Sequence, residues 1–220
     1  MSHTVSIRPV LSDIIFCEDD FPLLIASAYL PQLDGRGSHR FQRYYAACAA
    51  AFERWCRYQI FPQAQLLYQQ ALETATPIPQ WHATLQTVVT CHTDRMLSLY
   101  TETVLSGAPQ RTVLRRADTW DLRHGLPMTI TEFFPPHTPW RAFLLREAAQ
   151  QIRQQETQGI AAYDPQWSKK LRRHFHPQHF YLTPDDLCFF FPMGSIAPLV
   201  EGIPTFCLLY NREKGPFLPK

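Results

Sequence analysis

The sequence predicts an α+β fold, an antiparallel sheet with packed helices, and three observations carry that prediction. Residues 39–60 repeat their apolar side chains every three or four positions. Three consecutive segments between Trp81 and Leu122 alternate like strands and are joined by short polar turns. A second helical stretch over 139–158 then precedes three closing strand segments. Grouped strands and grouped helices, without strict alternation, are the mark of this class.

Taken in order, residues 6–29 read as a hairpin. Ile7, Val10, Ile14 and Phe16 are followed by Leu23, Ile25, Ala28 and Tyr29, with Glu18-Asp19-Asp20 and Pro22 between them. Asp34-Gly35-Arg36-Gly37-Ser38 breaks the chain and offers Ser38 as a helix cap. Phe41, Tyr45, Cys48, Phe52, Trp55 and Cys56 then form one buried helical stripe. Pro62 suits the first turn of a second helix, 63–75, packed through Leu66, Leu67, Ala71 and Leu72 and ended by Pro77 and Pro79. Strands over 81–92, 96–105 and 111–122 make a meander, with Ser106-Gly107-Ala108-Pro109 as its second turn. Residues 121–127 turn again, and 130–134 lead into a proline cluster. Thr138-Pro139 opens a helix with Trp140, Phe143, Leu144, Ala148 and Ile152 on its apolar side. A short basic helix over 165–174 and strands over 180–183, 187–191 and 205–210 complete the chain. We expect two parts, 1–92 and 93–220, joined as one compact unit.

Composition narrows the function classes. Of 220 residues, 45% are hydrophobic and 13% aromatic, enough for a real core. Nineteen prolines against eight glycines reverse the usual balance. No G-x-x-x-x-G-K-[ST] or G-x-G-x-x-G occurs, which disfavours familiar nucleotide chemistry. A net charge of +2 gives no bulk case for nucleic-acid binding. Neither a secretory signal nor a run of 18 apolar residues is present, so the sequence as given reads as cytoplasmic with no membrane span, or as extracytoplasmic if it is a domain excised from a longer chain. Six scattered cysteines without C-x-x-C favour buried, reduced thiols over a disulfide framework.

The order of features from residue 96 onward resembles a known family. Ser98-Leu99-Tyr100, Ala117-Asp118-Thr119-Trp120-Asp121-Leu122-x-x-Gly125, Thr131-Glu132-Phe133-Phe134 and Phe180-Tyr181-Leu182-Thr183 follow one another. Ile196-Ala197-Pro198 and Gly202-Ile203-Pro204 come near the end. This is similar to the uncharacterised domain that forms the C-terminal ectodomain of RsiV-type anti-sigma factors, accompanies some peptidoglycan deacetylases and occurs alone in Firmicutes. The resemblance implies a two-part α+β architecture and a non-enzymatic module that binds a lysozyme-like protein or cell-wall glycan, without cofactor. Where relatives carry Tyr-x-Gly-Gly-Ala-His-Gly, this chain has Val104-Leu105-Ser106-Gly107-Ala108-Pro109-Gln110. Gly194 and Leu199 stand where relatives often have tyrosine. The implied binding residues are Ser106, Gly107, Ala108, Gln110, Trp120, Ser195 and Glu201, on the 104–111 and 192–204 loops and the strand between them.

Catalytic patterns are sparse. His174-x-His176-x-x-His179 is the densest imidazole cluster, but Pro177 interrupts it and no carboxylate or cysteine adjoins it, so surface or structural histidines are expected and no metal site. Asp118 and Asp121 lie three apart on a strand and do not face each other. Ser195 lacks the second glycine of a nucleophile elbow. Lys169-Lys170-Leu171-Arg172-Arg173 reads as a solvated helix face, with no partner nucleic acid. Two rival readings remain: a cell-wall or carbohydrate-acting hydrolase, supplied by these histidines and by Trp81, Trp120, Trp140 and Trp167, and a cytoplasmic structural protein.

Overall fold

A computed structural model describes residues 4–35, 38–211, 213 and 215–218. The turn expected at Arg36-Gly37 lies outside them. Among the described residues the architecture is α+β, with a six-stranded and a three-stranded sheet. The chain divides into two compact units, 1–88 with 101–114 and 122–126, and 89–100 with 115–121 and 127–220.

The first unit begins with a long hairpin of β1 (Thr4–Glu18) and β2 (Phe21–Asp34). Asp19 and Asp20 form its tip with φ of 47° and 62°. Two consecutive left-handed residues match the twist of the flanking strands, and aspartate tolerates them better than most residues. Along β2, Leu24, Ala26, Ala28 and Leu30 are buried at alternate positions, as a strand covered on one face requires.

Helix α1 (His39–Trp55) continues through a π-helical turn, Cys56–Ile60, into α2 (Phe61–Thr74). Pro62 lies in the first turn of α2, as expected, and no loop separates the two helices. The Phe61 N–H donates to the Cys56 carbonyl five residues back, and this wider turn accommodates a proline ring that an α turn would meet with a clash. It also resets the buried face, which runs Phe52, Cys56, Ile60, Ala64 and Tyr68 at steps of four. Leu66 and Leu72, assigned to the core by their chemistry, are instead 61% and 52% exposed. Ser38 starts α1 through its backbone, its carbonyl accepting the Gln42 N–H at 2.9 Å; its side chain makes no cap.

The helical run returns the chain beside β2, where β3 (Trp81–His92) pairs parallel, Leu24 to Trp81 through Tyr29 to Gln86. This β-helix-β crossover departs from the expected antiparallel order. β4 (Met96–Ser106), β5 (Thr112–Asp121) and the short β6 (Leu126–Pro127) follow in sheet order.

The second unit holds a 3-10 turn, Ile130–Phe133, capped reciprocally by Thr129 and Glu132. Next come α3 (Trp140–Gln158), α4 (Trp167–His174) and a sheet of β7 (Phe180–Leu182), β8 (Asp186–Phe190) and β9 (Thr205–Leu209), all antiparallel. α3 ends at Gly159, whose φ of 64° lets the Gly159 and Ile160 N–H groups close on the Glu156 and Gln155 carbonyls. Leu144, Ala148 and Ile152 are fully buried with Leu187, Phe189, Phe191 and Phe206 in one core.

The expectation for the cysteines is overturned in part. Cys188 and Cys207 are disulfide-bonded, directly opposite each other in the β8–β9 register. The apolar context of these cysteines read as burial alone. Strand pairing brings together two thiols 19 residues apart, which no local pattern announces. Cys56 is buried and reduced, its thiol pushed up to about 12 by burial and then by nearby Glu53.

Candidate functional site

Among the described residues, each unit carries a concavity. The first contains the loop singled out in the sequence. Ala108, Pro109 and Gln110 face Gln63, Leu66 and Leu67 of α2 across about 410 Å³, above Trp81. Gly107 positions this loop. Its φ is +79°, and a Cβ there would stand 2.1 Å from the Gln80 carbonyl oxygen. Gly107→Ala should therefore destabilise by about 1–3 kcal/mol, whereas Gly159→Ala, with nothing within 4 Å, should cost about 1 kcal/mol for its left-handed backbone alone. Thermal unfolding of the two variants checks the difference.

The remaining predicted residues belong to the second unit. Trp120 is buried at the end of β5. Ser195 is 9% exposed, and its hydroxyl donates to the Pro192 carbonyl, closing a turn. That bond gives it a structural task and no base. Glu201, at the end of a 3-10 turn, accepts the Ala162 N–H at 3.1 Å. Ser106, Gly107, Ala108 and Gln110 thus share one unit, and Trp120, Ser195 and Glu201 the other.

The histidine cluster resolves into packing. His179 stacks on Phe190 at 4.9 Å and lies 4.8 Å from the His176 ring, whose Nδ1 accepts the Gln178 N–H. Burial, and then the neighbouring His176, depress the His179 imidazole to about 4. The unfolded chain binds this proton near pH 6.5 and the folded chain does not, so stability falls as pH drops from about 6.5 to 4 and then levels. His179→Phe should flatten that decline in urea midpoints. Among the described residues no three His, Cys, Asp or Glu side chains gather as metal ligands.

The second concavity was not foreseen. A groove of about 880 Å³ runs between α3 and α4. Its walls carry Trp140 and Trp167, its floor Leu145, Ala149 and Leu171, and its rim Arg141, Arg146, Arg153 and Arg172. No carboxylate, histidine or thiol lines it. α4 is held in place by Asp164, which accepts the Gln166 N–H at 2.8 Å and Lys170 Nζ at 2.6 Å. Those two hydrogen bonds, Lys170 first, hold the Asp164 carboxyl below its ordinary range. So Lys170 is paired with Asp164 just ahead of α4, while Arg172 lines the groove. Sequence reading missed this because it treated α3 as a core helix and α4 as a solvated face. The available signal was the series Arg141, Leu145, Ala149 and Arg153, at helical steps of four beside the core stripe.

A separate aromatic cluster surrounds Arg115. Its guanidinium lies 4.4 Å from the Tyr100 ring centroid and 5.6 Å from that of Phe190, and donates to Thr205 Oγ1 at 3.1 Å. Planar stacking and edge hydrogen bonding suit arginine and make this a structural contact.

Residues 131–211 match the family model described as a protein of unknown function, DUF3298. The α3–α4 groove lies wholly inside that segment, and the 104–111 loop lies outside it. A DUF3298 family member from Bacteroides fragilis is similar in structure, with a TM-score of 0.65 at 12% identity, covering 94% of this chain and 90% of its own. A DUF3298 family protein from Pseudomonas aeruginosa gives 0.58 at 16% identity, covering 98% of this chain and 94% of its own. Likeness at such identity establishes a shared fold. A search of curated protein sequences found no match.

Proposed function

We propose that this chain is a non-catalytic binding module that works outside the cytoplasm. The observation that carries the reading is the α3–α4 groove: large, cationic and aromatic, with no carboxylate, histidine or thiol along its walls. Its size falls in the range of ligand sites, while the Thr138 and Ser168 hydroxyls in its lining have no carboxylate or histidine there to activate them. The Cys188–Cys207 bond supports the compartment, because disulfides persist in oxidising surroundings and are rare in the cytosol. It weighs against a cytoplasmic structural protein. No helix among the described residues is long and apolar enough to cross a membrane.

The resemblance to RsiV-type ectodomains suggests the partner class, a lysozyme-like protein or cell-wall glycan. A hydrolase has less support, since Ser195 is engaged with a backbone carbonyl and His179 with Phe190. The test is direct. The oxidised protein is mixed with lysozyme and, separately, with purified cell-wall glycan. Complex formation is followed by sizing or cosedimentation, and released sugar or acetate by chromatography. We expect retention of a ligand without product. Product accumulating in proportion to protein concentration contradicts the reading.

A further inference from the structure

We infer that the α3–α4 groove docks an acidic, amphipathic segment of a partner protein; this rests on the binding-module reading and names the ligand chemistry. The groove has an apolar floor and a cationic rim. Positions 141 and 153 are twelve residues apart on α3, about 18 Å along the axis at 1.5 Å per residue, a little over three helical turns. Arg172 on α4 adds charge on the facing wall. Arg146 is paired with Glu147 at 3.2 Å. Among the described residues, no carboxylate lies within ion-pair distance of Arg141, Arg153 or Arg172. Guanidinium groups gathered in a concave site without counter-charge create a field that attracts an anionic partner.

Two of these arginines are already oriented. Arg141 lies over the Phe175 ring at 5.5 Å and Arg153 over the Trp167 ring at 5.9 Å. Ring contact restrains the guanidinium plane and leaves its edge N–H groups for bidentate pairing with carboxylates. Ordering them on binding then costs less entropy.

The lining also discriminates between ligand classes. A neutral glycan needs many acceptors for its hydroxyls, and the only acceptor side chains in the lining are the Thr138 and Ser168 hydroxyls, with no carboxylate or amide. Single-stranded nucleic acid needs open ring faces, whereas Trp167 carries Arg153 and Trp140 packs 6.1 Å from Phe175. A concave wall also fits a flat bilayer surface poorly. An apolar ridge flanked by carboxylates satisfies both floor and rim, the helix-in-groove mode of recognition.

The test is selection of random 16-residue peptides displayed on phage against the intact, oxidised protein, followed by anisotropy titration of synthetic winners. We expect Asp- and Glu-rich sequences with apolar residues at i, i+3 or i+4, and i+7, binding more weakly as salt rises. Arg141→Glu with Arg153→Glu should weaken binding at least tenfold, and peptides with Lys in place of Glu should regain it on that variant. Arg172→Gln, which loses no ring contact and puts no anion in the last turn of α4, should also weaken binding while leaving the melting temperature unchanged. Winners without acidic residues, affinity unchanged in the groove variants, or tighter groove-dependent binding of a polyuronate, oligothymidylate or phosphatidylglycerol vesicles would each overturn the assignment. If lysozyme or glycan is retained without product while groove-dependent peptides fail to appear, this assignment alone falls; product release overturns the binding-module reading beneath it.

Discussion

Ser98→Ala should destabilise the protein by about 2–4 kcal/mol, an unusual cost for deleting one oxygen atom. Ser98 is fully buried on β4, and its hydroxyl joins three strands of the second unit. It accepts the Leu182 N–H of β7 at 2.8 Å and shares a proton with Thr119 Oγ1 of β5 at 2.9 Å. The alanine variant removes two hydrogen bonds and leaves a buried backbone donor with no replacement. That orphaned N–H accounts for most of the cost, because its desolvation is no longer compensated. Thr119→Val should cost less, about 1 kcal/mol, since Ser98 keeps its bond to Leu182. Urea midpoints for the two variants should rank in that order. A Ser98→Ala loss below that of Thr119→Val would contradict the role of the hub.

Breaking the Cys188–Cys207 bond should cost about 3 kcal/mol, from the loop-closure entropy restored to an unfolded chain cross-linked 19 residues apart. Cys207→Ser is the suitable variant, because position 207 is exposed and tolerates a hydroxyl, whereas Cys188 is 1% exposed and a serine there is buried. Denaturation of the wild type with and without reductant should show the same loss, and reductant should leave Cys207→Ser unchanged. The pair fastens β8 to β9 next to Phe189 and Phe206, whose rings are 5.6 Å apart in the core. Its removal should therefore loosen the sheet before it disturbs the first unit.

Much of the fold was readable because periodicity and punctuation agreed. Leu144, Ala148 and Ile152 gave α3 its buried stripe, and the Asp19-Asp20 tip gave the hairpin its turn. Where the reading failed, the cause was non-local. Two leucines on α2 looked like core until a π turn at Cys56–Ile60 set the buried face on Ala64 and Tyr68. The disulfide needed strand register, and the parallel pairing of β2 with β3 needed the whole helical crossover.

The candidate site was less legible than the fold. The 104–111 loop does form a cleft, and Gly107 is required there by a close backbone approach that its sequence neighbours do not disclose. Trp120 and Ser195 looked functional within their motifs, yet one is buried and the other closes a turn. The α3–α4 groove was hidden because its residues come from two helices whose cations each look like ordinary surface. Placed along one groove, those arginines become a site.

The central claim is that ligand is held in the α3–α4 groove without being consumed. The chain has five tryptophans, and their indole N–H signals in a nitrogen-15 spectrum report on separate places. Trp140 and Trp167 line the groove, Trp81 lies under the 104–111 cleft, and Trp55 and Trp120 lie outside both linings. Titration with an acidic amphipathic peptide should move the Trp140 and Trp167 signals together, saturably, and leave the other three in place. Movement of Trp81 with Trp140 and Trp167 unchanged would put binding in the other cleft and contradict the account.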